Sequence, residues 1–348
     1  MAHVTLAEIL SQPQVWQQVL RLIADDKTVR KLASHNAGET VFIGCGTSYY
    51  LALSAASYYT MVTCRKARAT TASEVLLFPD TFLPNGGAEC KPILISRSGT
   101  TTEVVRVAQN VSDFFSDEPL GISCRPESDL LRACDLAVAL PPADEKSVVM
   151  TRSFTSMLLL IQYLASIQAS DEKLQEELSQ LPELGSVILE KSHSIIKNIM
   201  AEGSYTKFVY LGHGPYYGLA CEAMLKIKEM SLSSSEAYHS LEFRHGPMSM
   251  VDEDMLLTFL ISERARAHET LLLKEMKALG AKTVVICESA DDEIRASSDY
   301  LIELNSGLSD AARLLLYMPA LQLLGYYNAL AKGLDPDKPK NLSQVVTL

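Results

Sequence analysis

The stretch VFIGCGTSYY at residues 41–50 decides the fold, because a short apolar run passes through two glycines into a helical pattern. A matching stretch, FVYLGHGPYY, occupies residues 208–217. The first glycines of the two stretches, Gly44 and Gly212, lie 168 residues apart. Because a strand, a glycine turn and a helix occur twice in the same order, the sequence predicts an internal duplication of an α/β unit.

Further apolar runs continue this repeat in both halves. Residues 92–96 match residues 257–262, and residues 121–123 match residues 284–287. Short apolar runs that alternate with amphipathic helical stretches are typical of parallel sheets covered by helices on both faces. The sequence therefore predicts an α/β fold with two doubly wound domains. We expect a helical segment at 1–40, a first domain at 41–170, a helical connection at 171–200, a second domain at 201–335 and a C-terminal tail at 336–348.

Composition is ordinary for a globular protein and narrows the choice of partners. The 348 residues contain 31 Lys and Arg against 42 Asp and Glu, a formal net charge of −11. Nucleic-acid binding needs a basic surface, so we expect no nucleic-acid partner. The seven cysteines form no C-x-x-C pair, and no stretch is typical of an export signal or a membrane span. We therefore expect a protein of the reducing cytoplasm with no membrane partner.

A run of hydroxyl side chains follows one of the predicted strands. Five of the seven residues from Ser96 to Thr102 are serine or threonine. Hydroxyl groups and the free N–H groups of a helix N-terminus suit a phosphate monoester. A helix cap needs only one such residue, so the run favours a phosphate-binding turn over a simple cap. No Gly-Lys-Ser/Thr sequence is present, which argues against a nucleoside triphosphate.

Three charged residues, Glu222, Lys226 and Glu229, lie on one face of the helix predicted after the second glycine turn. Their spacing of i, i+4 and i+7 places them in a stripe. From the residues alone, the stripe is either a solvent-exposed row of ion pairs, which is the commoner case, or the wall of an active site.

A segment at residues 235–247 combines charged, aromatic and histidine side chains and ends in Gly-Pro, so we predict a loop. Loops on rigid α/β frames often carry functional groups. A histidine titrates near neutral pH and can accept or donate a proton. We take His245 as the candidate for this role, with His213 and His239 as alternatives. No residues have the spacing of a metal site and no cofactor motif is present, so we expect neither a metal nor a cofactor.

These motifs occur in an order that resembles one known family. The order is GCGTSY at 44–49, SE at 73–74, ISRSGTT at 95–101, AMLKIKE at 223–229, EAY at 236–238, FRHGP at 243–247 and DPDKPKNL at 335–342. Over nearly its whole length the chain resembles the double sugar isomerase (SIS) domain family. Within that family it is most similar to the isomerase half of the glucosamine-6-phosphate synthases.

The resemblance implies two flavodoxin-like SIS domains that form a homodimer and bind a phosphorylated hexose or hexosamine. In the family a turn of this kind holds the sugar phosphate, which implies that role for Ser96, Ser98 and Thr101. Further substrate contacts are implied for Ser48, the Arg97 backbone, Val148 and Glu222. The C-terminal tail is implied to close the active site.

The resemblance also implies the catalytic roles. Glu229 moves a proton between C1 and C2 of the sugar, and Lys226 lies beside it. His245 promotes ring opening and is supplied by the neighbouring subunit. With these roles, the charged stripe is predicted to be an active-site wall.

Several positions depart from the pattern of the synthases. Only about forty residues precede the first predicted strand, so we expect no glutaminase domain. Gln344 stands where the synthase tail carries a lysine that forms a Schiff base, and an amide cannot form an imine. Arg97 replaces a glutamine between the two serines, and Met150 replaces a serine near the sugar.

We therefore predict a sugar-phosphate isomerase and deaminase that converts glucosamine 6-phosphate and water into fructose 6-phosphate and ammonia. Four alternatives keep the same site: a galactosamine-6-phosphate deaminase, a fructosamine-6-phosphate deglycase, an ammonia-dependent aminotransferase-like isomerase and a plain aldose–ketose isomerase. An alternative of another class is a non-catalytic sugar-phosphate sensor.

Overall fold

The structure is a computed structural model that describes residues 3–33, 38–82 and 90–344. The strands of this part of the chain are β1 (Glu39–Gly44), β2 (Lys66–Thr71), β3 (Cys90–Ile95), β4 (Leu120–Ser123), β5 (Leu136–Ala139), β6 (Lys207–Gly212), β7 (Ser234–Tyr238), β8 (Met255–Leu260), β9 (Lys282–Cys287) and β10 (Tyr300–Glu303).

The helices are α1 (Val4–Leu10), α2 (Gln12–Ala24), α3 (Lys27–Ala33), α4 (Thr47–Thr63), α5 (Ala72–Leu77), α6 (Pro79–Phe82), α7 (Thr102–Gln109), α8 (Asp129–Arg132), α9 (Arg152–Gln168), α10 (Glu172–Glu202), α11 (Pro215–Ser231), α12 (Arg266–Ala278), α13 (Asp292–Ser297), α14 (Asp310–Arg313) and α15 (Met318–Ala331). Short 3₁₀ helices occupy Val111–Asp113, Pro141–Ala143, Ser240–Arg244, Pro247–Met250 and Leu314–Tyr317.

The strands form two parallel sheets of five strands each. The first has the order β2-β1-β3-β4-β5, and the second has the equivalent order β7-β6-β8-β9-β10. In both sheets, the strand that leads into the glycine turn lies second from one edge. This order is that of the flavodoxin-like doubly wound fold. The predicted fold class is confirmed.

Contacts along the chain divide it into two compact units. The first-sheet unit contains residues 11–182 together with 343–344, and the second-sheet unit contains residues 3–10 and 183–342. The division falls inside α10, which is one continuous helix with Pro182 in its interior. None of the described helices is both long enough and apolar enough to cross a membrane.

The strands are buried because helices cover both faces of each sheet. In β1, Val41, Phe42 and Ile43 have no exposed surface. Such continuous apolar runs are the pattern expected of a parallel sheet that is buried on both faces. In the same unit, Trp16 of α2 is fully buried and its Nε1 donates to Thr155 Oγ1 of α9 at 2.9 Å. This contact fixes α2 against the sheet-covering helix α9.

The two glycine turns have the same geometry. A Cβ atom on Gly44 would lie 2.5 Å from the backbone of Ser48, and one on Gly212 would lie 2.8 Å from the carbonyl oxygen of Tyr216. The second glycines, Gly46 and Gly214, have φ angles of 54° and 56°, which favour glycine. The sequence repeat is therefore a structural repeat, with a close strand–helix approach that only glycine permits.

One sequence prediction was wrong. Residues 235–247 were predicted to be a loop, but their first part belongs to β7, and two 3₁₀ helices follow. Among the described residues, β7 lies at the edge of its sheet and pairs only with β6. An edge strand tolerates polar and charged side chains, so its sequence lacks the apolar run of a central strand. The polar edge strand β2 was not identified for the same reason.

Candidate active site

The hydroxyl-rich run forms a turn between β3 and α7 in the first-sheet unit. Ser96 Oγ lies 3.0 Å from Thr101 Oγ1 and accepts a hydrogen bond from the N–H of Gly99 at 3.1 Å. Ser98 Oγ accepts from the N–H and the hydroxyl of Thr100 at 3.2 and 3.1 Å. Thr101 is the N-cap residue of α7, but its side chain makes no capping bond. The hydroxyl groups therefore do more than cap one helix.

The turn lies at the carboxyl end of a central strand of the first sheet. β1 and β3 are neighbours, and the two strands that follow β1 in the chain lie on opposite sides of it, β2 on one side and β3 on the other. Ligands of doubly wound folds bind at such a switch point, beyond the carboxyl ends of the strands. Ser48, in the first turn of the helix after β1, is buried there. The fold thus brings Ser48 and the hydroxyl turn to the same edge of the same sheet.

Arg97 lies inside the turn and is 5 % exposed. Its carbonyl oxygen accepts from Ser123 Oγ and from the N–H of Cys124, both at 3.0 Å. Its guanidinium donates to the carbonyl oxygens of Ser147 and Val148 at 3.3 and 3.1 Å. Arg97 therefore brings Val148, a second predicted substrate contact, next to the turn.

The charged stripe of α11 is buried in the second-sheet unit. Lys226 and Glu222 have no exposed side-chain surface, whereas the side chain of Glu229 is 18 % exposed. Lys226 Nζ lies 3.1 Å from Glu222 Oε1 and donates a hydrogen bond to Glu229 Oε2. The interpretation as a solvent-exposed row of ion pairs is wrong.

The three side chains of the stripe differ in charge and in exposure. Burial lowers the pKa of Lys226, but attraction to Glu222 and Glu229 outweighs burial and leaves that pKa above its ordinary value. Lys226 therefore stays protonated and is not a nucleophile. Because Glu229 is the carboxylate with exposed surface, it is the member of the stripe that a ligand can reach.

His245 is exposed and lies directly after the 3₁₀ helix Ser240–Arg244. The connection from β6 to β7 contains α11, and the connection from β7 to β8 contains His245. In the sheet, β7 lies on one side of β6 and β8 lies on the other, so the two connections run across the sheet in opposite directions. Because crossovers between parallel strands are right-handed, the two connections lie on opposite faces of the sheet. Phe243 accordingly packs in the core cluster that contains α12 residues. Within the second-sheet unit, the fold does not bring His245 to Glu229.

A further group of titratable side chains lies beyond the ends of β6 and β8. Glu269, in the first turn of α12, is 1 % exposed. Its Oε1 lies 3.0 Å from His213 Nδ1 and accepts from Ser240 Oγ at 2.8 Å. Its Oε2 accepts from the N–H of Ser262 at 3.2 Å. Glu269 thus anchors the start of the segment that carries His245, a role that sequence reasoning missed.

The two alternative histidines are engaged within the protein. His213 contacts Glu269, and His239 stacks on Tyr217 with ring centroids 3.9 Å apart. Burial, and then the neighbouring His213, lower the pKa of His239. Among residues 3–33, 38–82 and 90–344, no three His, Cys, Asp or Glu side chains lie close enough to hold a metal ion.

A comparison with protein families now identifies the architecture. The family described as the SIS domain matches residues 35–167 and 205–322. The chain belongs to the SIS domain family. Each match covers one five-stranded sheet and its glycine turn, so the predicted resemblance is confirmed.

The chain is similar to curated proteins that are named for fructose 6-phosphate. The glutamine–fructose-6-phosphate aminotransferase of Pseudomonas putida is 30 % identical over 371 aligned residues, which cover 99 % of this chain and 59 % of the relative. The chain thus spans about three fifths of the length of the curated relatives that it matches.

Two solved structures match the chain over almost their whole length. Glucosamine-6-phosphate deaminase from Thermotoga maritima is 30 % identical with a TM-score of 0.80, and the match covers 99 % of each chain. The C-terminal domain of the Francisella tularensis glucosamine-fructose-6-phosphate aminotransferase is 26 % identical with a TM-score of 0.85, and covers 97 % of this chain and 99 % of that one. These SIS proteins are named for sugar phosphates that carry, gain or lose an amino group.

Proposed function

We propose that the protein is a sugar-phosphate isomerase that releases ammonia, converting glucosamine 6-phosphate and water into fructose 6-phosphate and ammonia. The observation that carries this proposal is the buried stripe of α11. A carboxylate with a reachable oxygen, Glu229, is paired with the protonated Lys226. Such a carboxylate is suited to carry a proton between neighbouring carbon atoms.

Phosphate recognition is assigned to the hydroxyl turn of the first-sheet unit. Ser96, Ser98 and Thr101 supply hydroxyl groups at the switch point of the sheet, and α7 adds the N–H groups of its first turn. A phosphate monoester accepts from all of these donors. Ser48 is assigned an assisting contact, and Glu222 and Val148 are assigned contacts with the sugar.

The proposed reaction moves one proton and then uses one water molecule. After ring opening, Glu229 removes the proton at C2, the electron pair forms a double bond between C1 and C2, and O1 takes a proton from water as its bond to C1 becomes single. Glu229 then returns its proton to C1 while the amino nitrogen shares its electron pair with C2 and gives one proton back to the hydroxide, which leaves an imine at C2. Water adds to this imine, and the C–N bond breaks to release ammonia and the C2 ketone of fructose 6-phosphate. Lys226 holds the Glu229 side chain in place through its hydrogen bond to Oε2.

Ring opening is assigned to His245 of a second copy of the chain. The placement of His245 and Glu229 on opposite faces of one sheet supports this assignment, because one unit does not supply both groups to one sugar. A homodimer in which each copy lends His245 to its neighbour satisfies that constraint. Cytoplasmic location and the absence of a nucleic-acid partner stay predictions.

The SIS relatives favour deamination over the reverse reaction. The Thermotoga maritima protein is named a glucosamine-6-phosphate deaminase and matches this chain from end to end at 30 % identity. The second candidate is amination of fructose 6-phosphate, which the name of the Pseudomonas putida relative favours. That relative continues beyond the matched part, so its complete activity is the weaker guide.

The test incubates the purified protein with glucosamine 6-phosphate alone, without metal or glutamine. We expect ammonia and fructose 6-phosphate to appear in equal amounts. Galactosamine 6-phosphate and a fructosamine 6-phosphate are tested in parallel, and fructose 6-phosphate with ammonia tests the reverse direction. Interconversion of glucose 6-phosphate and fructose 6-phosphate without nitrogen release would identify a plain isomerase. Binding of these compounds without any turnover would identify a sensor.

A further inference from the structure

Two positions at which this chain departs from the synthase pattern, Arg97 and Gln344, contact each other. Arg97 Nη2 donates to the carbonyl oxygen of Gln344 at 2.7 Å. Both residues belong to the first-sheet unit, although 247 positions separate them along the chain. Arg97 stands between Ser96 and Ser98, so this contact links the hydroxyl turn directly to the C-terminal tail.

The side chain of Gln344 makes separate contacts of its own. Its Nε2 donates to the carbonyl oxygens of Glu145 and Ser147 at 2.9 and 3.4 Å. Its Oε1 accepts from Arg125 Nη2 at 3.4 Å. Both ends of the amide are thus committed to protein groups. A lysine at this position could reproduce the donor but not the acceptor, and its charge would lie beside two arginines.

Arg97 is held in place by a buried counter-ion. Its Nη1 lies 3.6 Å from Glu145 Oε2, and these side chains are 5 % and 0 % exposed. Glu145 also accepts from the N–H and the hydroxyl of Thr151 at 2.6 and 2.7 Å and from Ser153 Oγ. The guanidinium is therefore directed towards the segment 145–148 and the tail.

We propose that Arg97 is a positioning residue that couples ligand binding at the hydroxyl turn to the seating of the tail at Gln344. The backbone of Arg97 is part of the turn, and its planar guanidinium donates to the carbonyl oxygens of Ser147, Val148 and Gln344. A shift of the turn on phosphate binding therefore reaches the tail through one side chain. By linkage, seating of the tail strengthens phosphate binding by the same factor. The identity of the ligand rests on the proposed function, but the link itself does not.

The test measures hydrogen exchange of the C-terminal peptide by mass spectrometry in four full-length proteins: wild type, Arg97→Lys, Gln344→Ala and Lys340→Ala. Arg97→Lys keeps a positive charge beside Glu145 but lacks the planar fork. Gln344→Ala removes the side-chain contacts of the tail, keeps the carbonyl oxygen that Arg97 contacts and leaves the buried ion pair untouched. Lys340 is exposed and serves as the control. Each protein is measured alone, with inorganic phosphate and with glucosamine 6-phosphate.

In the ligand-free state, we expect the C-terminal peptide to exchange at least fivefold faster in Arg97→Lys and Gln344→Ala than in wild type and Lys340→Ala. Saturating ligand should slow this exchange at least fivefold in wild type, which is the low end of typical coupling. Ligand should have little effect on the exchange of Arg97→Lys, although that variant still binds phosphate.

Two results would overturn the proposal. One is equal exchange of the tail peptide in all four proteins. The other is faster exchange throughout the first sheet in Arg97→Lys, including the β3 and β4 peptides, which would reduce Arg97 to a structural role. If wild type binds neither phosphate nor glucosamine 6-phosphate, the proposed function fails, but the ligand-free comparison still decides whether Arg97 holds the tail.

Discussion

The turns after β3 and β8 occupy equivalent places in the two sheets, but their backbone groups are satisfied differently. In the first-sheet unit, serine and threonine hydroxyls surround the turn. In the second-sheet unit, the carboxylate of Asp310 accepts from the N–H groups of Glu263 and Arg264, both at 3.1 Å. The first turn is lined by hydroxyl groups, whereas the second already contains an internal anion, the Asp310 carboxylate.

The helices that follow the two glycine turns also differ, and here it is the second-sheet unit that carries the distinctive side chains. α4 and α11 both have 17 residues and begin 168 positions apart. At the positions of Glu222, Lys226 and Glu229, helix α4 carries Ser54, Tyr58 and Met61. Duplication thus preserved the backbone, whereas the hydroxyl turn and the charged stripe each occur in one of the two described units. The two units therefore differ in side-chain chemistry although they are equivalent in fold.

Replacing the stripe residue Glu229 should have the largest effect. Glu229→Gln keeps the size of the side chain but cannot accept the C2 proton. We expect kcat with glucosamine 6-phosphate to fall about 10²–10⁴-fold, the usual contribution of a positioned acid–base group. The control is Glu253→Gln, an exposed glutamate of the same unit. Turnover near the wild-type rate in Glu229→Gln would remove this residue from the mechanism.

Asp310 should matter for stability instead of catalysis. Asp310→Ala leaves two N–H groups of its turn without their acceptor and removes the nearest carboxylate from Arg313, which is 3 % exposed. We expect the second-sheet unit to lose about 2–3 kcal/mol, measured by urea unfolding. The exposed Asp254→Ala is the control.

Added anions should restore stability to the Asp310→Ala variant. If Asp310 occupies an anion site, high concentrations of phosphate or sulfate should raise the unfolding midpoint of Asp310→Ala more than that of wild type. An unchanged midpoint in the variant, with or without the added anion, would show that the second turn needs no internal carboxylate.

The fold was largely predictable because its central strands are apolar on both faces. The runs that became β1, β3, β6 and β8 stand out in the sequence, and the glycines between strand and helix are required by close contact. The edge strands β2 and β7 were missed because, in the part of the chain that the structure describes, one side of each pairs with no other strand and tolerates polar residues. Their positions follow only from tertiary pairing.

The site was predictable where its residues are neighbours in sequence. The hydroxyl run and the stripe of α11 are local patterns. The partners of Glu269 are His213, Ser240 and Ser262, which lie on different segments, so no spacing rule connects them. An acidic residue in the first turn of α12 was the single available signal, and it is common at helix N-termini. The link from Arg97 to Gln344 was hidden for the same reason.

A single hydroxyl of the first turn should have a smaller effect than either charged residue. Ser98→Ala removes one donor to the phosphate, and a hydrogen bond to a charged group contributes about 1.5 kcal/mol. We expect roughly a tenfold weaker affinity for glucosamine 6-phosphate in calorimetry, with a nearly unchanged unfolding midpoint. The matched control is Ser262→Ala in the second turn, which should leave that affinity unchanged. Equal losses in both variants would contradict the division of roles between the turns.

The smallest predicted effect concerns two aspartates, each of which directly precedes the last strand of its sheet in chain order. Asp299 precedes β10 and accepts from the N–H and the hydroxyl of Thr283 at 2.9 and 3.0 Å, whereas Asp135 precedes β5 and is exposed. Burial raises the pKa of Asp299, but the hydrogen bonds from Lys277 and Thr283 lower this pKa by more than burial raises it. The pKa of Asp299 therefore lies below its ordinary value of 3.8.

The unfolded chain therefore takes up this proton at a higher pH than the folded chain does. The stabilisation from Asp299 is complete above the unfolded pKa and is lost as the pH falls through the lower folded pKa. We expect Asp299→Asn to lower the free energy of unfolding by about 1 kcal/mol at pH 6. This difference from wild type should shrink as urea titrations are carried below pH 3.8. Asp135→Asn should match wild type in unfolding at pH 6, and a loss equal to that of Asp299→Asn would show that the two sheet edges are stabilised alike.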